Sequence, residues 1–257
     1  MRRHDPVSTV GAVPDEPRSD AQLAPAPPQH THPSDLDQAV IDKVVARRGR
    51  LHAFETLDPE RTALVVIDLN AGSVRLDPAC LDLVGPVNAL AAALRAAGGT
   101  VAWVTPRLDH ARRERLAKVA GADRAAMFYD DSQPGADAAE LWPGLVAVDG
   151  DLFATKPGAS AFFPGSSSLH DQLRSAGIES VLIAGTVTNV CCESSARDAT
   201  ELGYEVTMVS DACAGHARGL HEASLTTFFR SFGDVRPTAD VLALIDAAAT
   251  RTHENRS

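Results

Sequence analysis

Apolar residues fall along this chain in short dense blocks separated by stretches of helical spacing. Ala63, Leu64, Val65, Val66 and Ile67 run without a polar interruption, and a block of that length between polar residues predicts a strand buried on both faces. Similar blocks predict strands over 100–105, 152–155, 181–184 and 204–209, with a short last one over 234–236. Between them the apolar period lengthens. Leu36, Val40, Val44 and Val45 share one face of a helix over 36–48, and an Ala/Leu-rich stretch predicts a helix over 84–97 that stops at Gly98 and Gly99. Further helices are expected over 167–175, 191–202 (closed by Gly203), 221–232 and 239–249. Strands alternating with helices imply a mostly parallel sheet of roughly six strands covered on both faces, an α/β protein built as a three-layer α/β/α sandwich.

Two regions fall outside this rhythm. Residues 1–34 are rich in Pro, Asp, Gln and His and poor in large apolar side chains, so they are expected to form a disordered tail ahead of one folded domain over 35–257. Residues 107–145 mix charged and Gly/Pro-rich pieces; they read as an excursion over the sheet edge with a helix over 111–119.

Composition narrows the function classes. Of 257 residues, 44% are hydrophobic and 23% charged, ordinary for a globular domain. The net charge of −10 argues against nucleic acid or an anionic membrane as partner. No run of about 18 apolar residues is evident that would span a bilayer, and the Met-Arg-Arg start has no apolar segment behind it of the kind a secretory signal needs. Cys80, Cys191, Cys192 and Cys213 have no framework spacing, which fits a reducing, cytoplasmic setting.

In a parallel sheet the chemistry gathers where strands end and helices begin. Asp68 follows the first strand, Lys156 the third, and Cys191 lies just beyond the fourth at the start of a helix. A thiol at a helix N-terminus is expected to have a lowered pKa, further lowered by a nearby ammonium. The trio supplies a nucleophile, a base and a cation, with the backbone N–H groups of Val187 and Cys191 as candidate oxyanion donors. Competing motifs are absent: no G-x-G-x-x-G follows the first strand, no C-x-x-C or paired His suits zinc, and no G-x-S-x-G elbow occurs. His216 and His221 are expected at the surface. Asn70, Trp142, Phe162 and Tyr129 are candidate pocket residues, each equally suited to packing.

Three segments together resemble the isochorismatase-like cysteine hydrolases: Ala63 to Asp68, Lys156 with Ser160, Ala161 and Phe162, and Gly185 to Cys191 followed by Glu193 to Ala199. The resemblance covers roughly 55–248 and leans toward the ureidoacrylate and N-carbamoyl amidohydrolases. It implies an Asp68–Lys156–Cys191 triad, a cis peptide at Thr186–Val187 and homo-oligomeric assembly. The activity implied is hydrolysis of a non-peptide C–N bond in a small amide, carbamoyl or ureido substrate. Its alternatives are a vinyl-ether hydrolase of the isochorismatase type and a catalytically silent binding protein.

The departures are local. Asn70 stands where many members have Gln. Pro157, Gly158 and Ala159 replace a basic and an aromatic residue, leaving open where a substrate carboxylate would find an anchor. Asp109 and His110 give one pair where the nicotinamidases have a metal cluster, so no metal and no cofactor are expected.

Overall fold

A computed structural model of the chain describes residues 36–107, 110–129 and 140–256, and the expected tail over 1–34 lies outside them. Helix α1 (Gln38–Arg48) starts at Asp37, whose carboxylate accepts the Ala39 N–H at 2.7 Å, and stops at Gly49 in the left-handed conformation. Strand β1 (Thr62–Ile67) leads to the short helix α2 (Ala71–Leu76), a 3₁₀ segment (Pro78–Leu83) and α3 (Val84–Ala96). Then come β2 (Thr100–Pro106), α4 (His110–Ala120), α5 (Ala122–Tyr129), β3 (Leu152–Lys156), α6 (Leu169–Ser175) and β4 (Ser180–Thr186). A π-helical turn (Thr188–Cys192) opens into α7 (Glu193–Glu201), followed by β5 (Glu205–Ala214), α8 (Arg218–Ser231), β6 (Asp234–Arg236) and α9 (Thr238–Arg256).

All six strands are parallel, in the order β3-β2-β1-β4-β5-β6. Alternation along β1 divides the core in two. Ala63, Val65 and Ile67 pack with α6, α7 and α8 through Leu169, Leu173, Ala196, Leu225 and Phe228, whereas Leu64 and Val66 pack with α3 and α9 through Leu90, Leu94, Val241 and Ile245. Every residue of β1 is buried, so a polar substitution on either face would enter a core. This is the expected three-layer sandwich.

Several elements differ from the sequence reading. α2 and α5 were not anticipated; α2 depends on a side-chain cap from Asn70 rather than on an apolar period. β5 continues past Val209 to Ala214, with a register shift: Met208 pairs with Ile183 and Cys213 with Gly185, so Val209–Ala212 stand opposite Ala184. Pro78–Ala96 is long and apolar enough to cross a bilayer by length and composition, although the sequence reading noted only its part from residue 84 on, as a helix. It is a 3₁₀ segment joined to α3, and its Val87, Leu90, Ala91 and Leu94 are packed against the sheet. His221 is not at the surface but fully buried, because α8 begins at Arg218 and turns that position inward.

The strand order reverses between β1 and β4, the crevice where loops from adjacent strands leave in opposite directions. Asp68 and the turn carrying Cys191 leave the sheet on either side of that crevice.

Candidate active site

Asp68 is fixed before its carboxylate does anything. Its N–H donates to the Val104 carbonyl at 2.9 Å, and its φ of 50° places a non-glycine residue in the left-handed region. That conformation costs about 1 kcal/mol or more. It is held because the Asp68 carbonyl accepts from Ser73 Oγ (2.5 Å) and Thr186 Oγ1 (3.1 Å), and the two hydroxyls lie 3.2 Å apart. Gly185 brings the fourth strand close enough for this. Its φ is 115°, and a Cβ there would lie 2.0 Å from the Ile67 carbonyl oxygen. The next peptide, Thr186–Val187, is cis.

Lys156, the last residue of β3, is almost entirely buried and extends across the end of β2. Its ammonium meets Asp68 Oδ2 at 2.7 Å, the Gly158 carbonyl at 2.8 Å and Cys191 Sγ at 3.3 Å. Three contacts match the three hydrogens of an ammonium. Burial, the largest single influence, lowers the lysine pKa, but Asp68 and Cys191 together outweigh it and the pKa lies above its ordinary value.

The thiol behaves differently from the expectation. Cys191 sits inside the π turn, ahead of α7 rather than at its first residue. Burial and then the Asp68 carboxylate push its pKa up to about 12, with Lys156 pulling the other way. The lysine charge is already matched by Asp68, so a thiolate would be a second, uncompensated anion in a confined space. The resting arrangement is an Asp68–Lys156 ion pair beside a protonated thiol. The Asp68 Oδ1 atom is buried and has no hydrogen-bond partner among the described residues.

The π turn is anchored from below. Thr188 Oγ1 lies 2.8 Å from Nδ1 of the buried His221, and Ser224 Oγ donates to the Thr188 carbonyl at 3.4 Å. The Val187 carbonyl accepts the N–H groups of Val190 (2.9 Å) and Cys192 (3.2 Å), passing over that of Cys191. Cys192 is fully buried, its thiol raised by burial and by its contact with Cys213, which leaves it unsuited to nucleophilic work. The structure thus brings Asp68, Lys156 and Cys191 together.

The four candidate pocket residues have other contacts. Asn70 is buried and caps α2 by accepting the Ser73 N–H at 2.9 Å. The Trp142 backbone N–H donates to the Leu69 carbonyl, and its ring lies beside Gly144. Phe162 is buried in the first core, edge-on to Tyr204 with ring centroids 5.7 Å apart. Tyr129 closes α5, and its side chain lies outside the described residues. No group of three or more His, Cys, Asp or Glu placed to hold a metal ion occurs among the described residues. Ser73, Thr186, Thr188 and His221 were not singled out as site residues in the sequence. Each is an ordinary polar residue there, and only the fold shows that each holds a member of the trio.

This geometry can be set beside known proteins. The isochorismatase domain model matches residues 62–240, most of the chain. The chain belongs to the isochorismatase family. It is 33% identical over 192 residues to the uncharacterized isochorismatase family protein YwoC of Bacillus subtilis (strain 168), covering 72% of this chain and 95% of that protein. Among solved structures, a cysteine hydrolase from Pseudomonas syringae pv. phaseolicola superposes with a TM-score of 0.67 at 26% identity, covering 77% of this chain and 99% of the other. An isochorismatase family protein from Burkholderia thailandensis does so with a TM-score of 0.60 at 32% identity, covering 74% and 98%. Sheet and helices are those of an isochorismatase-like hydrolase, and membership of that family points to hydrolysis.

Proposed function

We propose that this family member is an amidohydrolase that cleaves a non-peptide C–N bond in a small amide, carbamoyl or ureido compound through a Cys191 thioester. The observation that carries the reading is the contact of one buried ammonium with both a carboxylate, at 2.7 Å, and a thiol, at 3.3 Å. A thiol with a raised pKa needs a base at the moment of attack, and the unpartnered Asp68 Oδ1 is the nearby acceptor. As the proton moves from Sγ to Asp68, Sγ bonds to the carbonyl carbon and the carbonyl electron pair moves onto oxygen. The N–H groups of Val187 and Cys191 hold that oxyanion. Its collapse breaks the C–N bond, and Asp68 returns the proton to the departing nitrogen. Water then adds to the thioester and gives a proton to Asp68. Cleavage of the C–S bond releases the acid, and the sulfur recovers its proton. Lys156 keeps a positive charge beside the sulfur throughout.

Cys191→Ala tests this against a panel of small amides and ureides, read by ammonia release. We expect release from the wild-type protein and a loss of at least about 10³-fold in the variant with its fold intact. Ammonia release that survives the substitution sinks the proposal. Vinyl-ether hydrolysis that survives it would favour acid catalysis by Asp68 instead. Tight binding of a panel member without turnover would favour the silent binding protein.

A further inference from the structure

The turn that carries Cys191 is wider than an α-helix would make it. Its Cys192 N–H reaches back five residues to the Val187 carbonyl at 3.2 Å, and the Glu193 N–H does the same to Thr188. In an α-turn the Val187 carbonyl would instead take the Cys191 N–H, four residues on. Wide turns of this kind are rare, so one that persists needs an external hold. Helix α8 supplies it at Thr188, the first residue of the turn. Thr188 Oγ1 lies 2.8 Å from His221 Nδ1, and the Thr188 carbonyl accepts from Ser224 Oγ at 3.4 Å. His221 and Ser224 are three residues apart on α8 and so share one face. Thr188, His221 and Ser224 are all buried, and the same face continues through Leu225 and Phe228 into the first core.

Packing alone does not call for an imidazole at that position. Leucine would fill the space beside Leu225 and Phe228 without the cost of burying a polar ring, so the imidazole is explained by the hydroxyl it meets rather than by its volume. That hydroxyl belongs to the residue from which the wide turn starts. We infer that His221 is a positioning residue for hydrolysis: through Thr188 it keeps the turn open, so that the Cys191 N–H is withheld from the Val187 carbonyl and left to the substrate's oxyanion. Ser224 supports the same residue from one helical turn away. The role given to that N–H rests on the amidohydrolase reading; the clamp that holds it does not.

The test compares full-length variants by kinetics, alkylation and crystallography. With the best amide or ureide of the panel, His221→Leu should lower kcat by about 10- to 100-fold and leave KM within about threefold, the pattern of a contact made only in the transition state. Iodoacetamide should still alkylate Cys191 within about threefold of the wild-type rate, because displacement at an alkyl carbon develops no oxyanion. A residue needed only for folding would lower both together. Thr188→Val, which keeps the branched shape and removes the hydroxyl, should match the loss, and the double variant should be no slower than the weaker single one. His221→Asn, whose amide comes near the Nδ1 position, should recover activity that His221→Gln, whose amide comes near Nε2, does not. Crystal structures of His221→Leu and Thr188→Val should show the Cys191 N–H bonded to the Val187 carbonyl, and they need no substrate. A turn that stays wide in both, alkylation that falls in step with kcat, a rise in KM in place of the fall in kcat, losses that add in the double variant, or equal activity of the Asn and Gln variants overturns the inference. If the wild-type protein turns over no member of the panel, the amidohydrolase reading falls while the crystal structures still decide the clamp.

Discussion

Asp68 raises the pKa of the very thiol it is proposed to deprotonate, and this sets a prediction with an unusual sign. Replacing Asp68 with Asn removes the largest charge effect on Cys191 and leaves Lys156 beside it. The thiol pKa should fall, with about tenfold more thiolate at neutral pH for each unit. Alkylation by iodoacetamide at pH 7 should therefore speed up in Asp68→Asn, while amide turnover drops by about 10²–10⁴-fold for want of the base. Reactivity and catalysis would move in opposite directions. An alkylation pH profile that shifts upward, or does not shift, would show that the carboxylate is not what holds the thiol protonated.

At the level of elements, the site depends on how closely β4 passes β1. Gly185→Ala would drive a methyl group to 2.0 Å from the Ile67 carbonyl oxygen at a φ of 115°. We expect a cost of about 3 kcal/mol or more, measured by denaturant unfolding, and lost turnover in whatever protein folds. A change below about 1 kcal/mol would mean that the two strands have room to part. The strands themselves were legible in the sequence because β1, β2 and β4 are buried on both faces and read as unbroken apolar blocks. Asp68, Lys156 and Cys191 stood out as candidates because each lies at or soon after a strand's C-terminal end, and the structure brings the three together. What was hidden has one physical cause: it depends on partners distant in sequence. His221 looks like a surface residue until α8 buries it under Thr188, and the β5 register shift exists only against β4. The thiol pKa was misjudged for the same reason, since a helix N-terminus is local and the burial is not.

For the whole molecule, the buried thiols, Tyr204 and Lys156 pull in one direction on the alkaline side. Burial raises Cys80, Cys191 and Tyr204 to about 12 each, and Lys156 also lies above its ordinary value. In the unfolded chain thiols titrate near about 8.5, tyrosine near about 10 and lysine near about 10.4. Above about pH 8.5 the unfolded chain therefore holds fewer protons than the folded one, and stability falls as pH rises. The contribution is complete below about pH 8.5 and is lost as pH climbs through about 12. Thermal unfolding midpoints should be level from about pH 6 to 8 and fall steadily beyond, with a shallower fall in Cys80→Ala. A midpoint that stays level to about pH 11 would show that these groups titrate as freely folded as unfolded.

The order reversal at β1 and β4 has one more consequence, for assembly. Asp68 and Lys156 lie in the first half of the sheet and Cys191 in the second, and the exposed turn at Phe163, Pro164 and Gly165 lies between the two halves along the chain. A break at that turn would give one fragment with Asp68 and Lys156 and another with Cys191, and the proposed reaction needs all three. On the proposed mechanism turnover would return only as β4 docks beside β1, which would make it a reporter of the chain's reassembly.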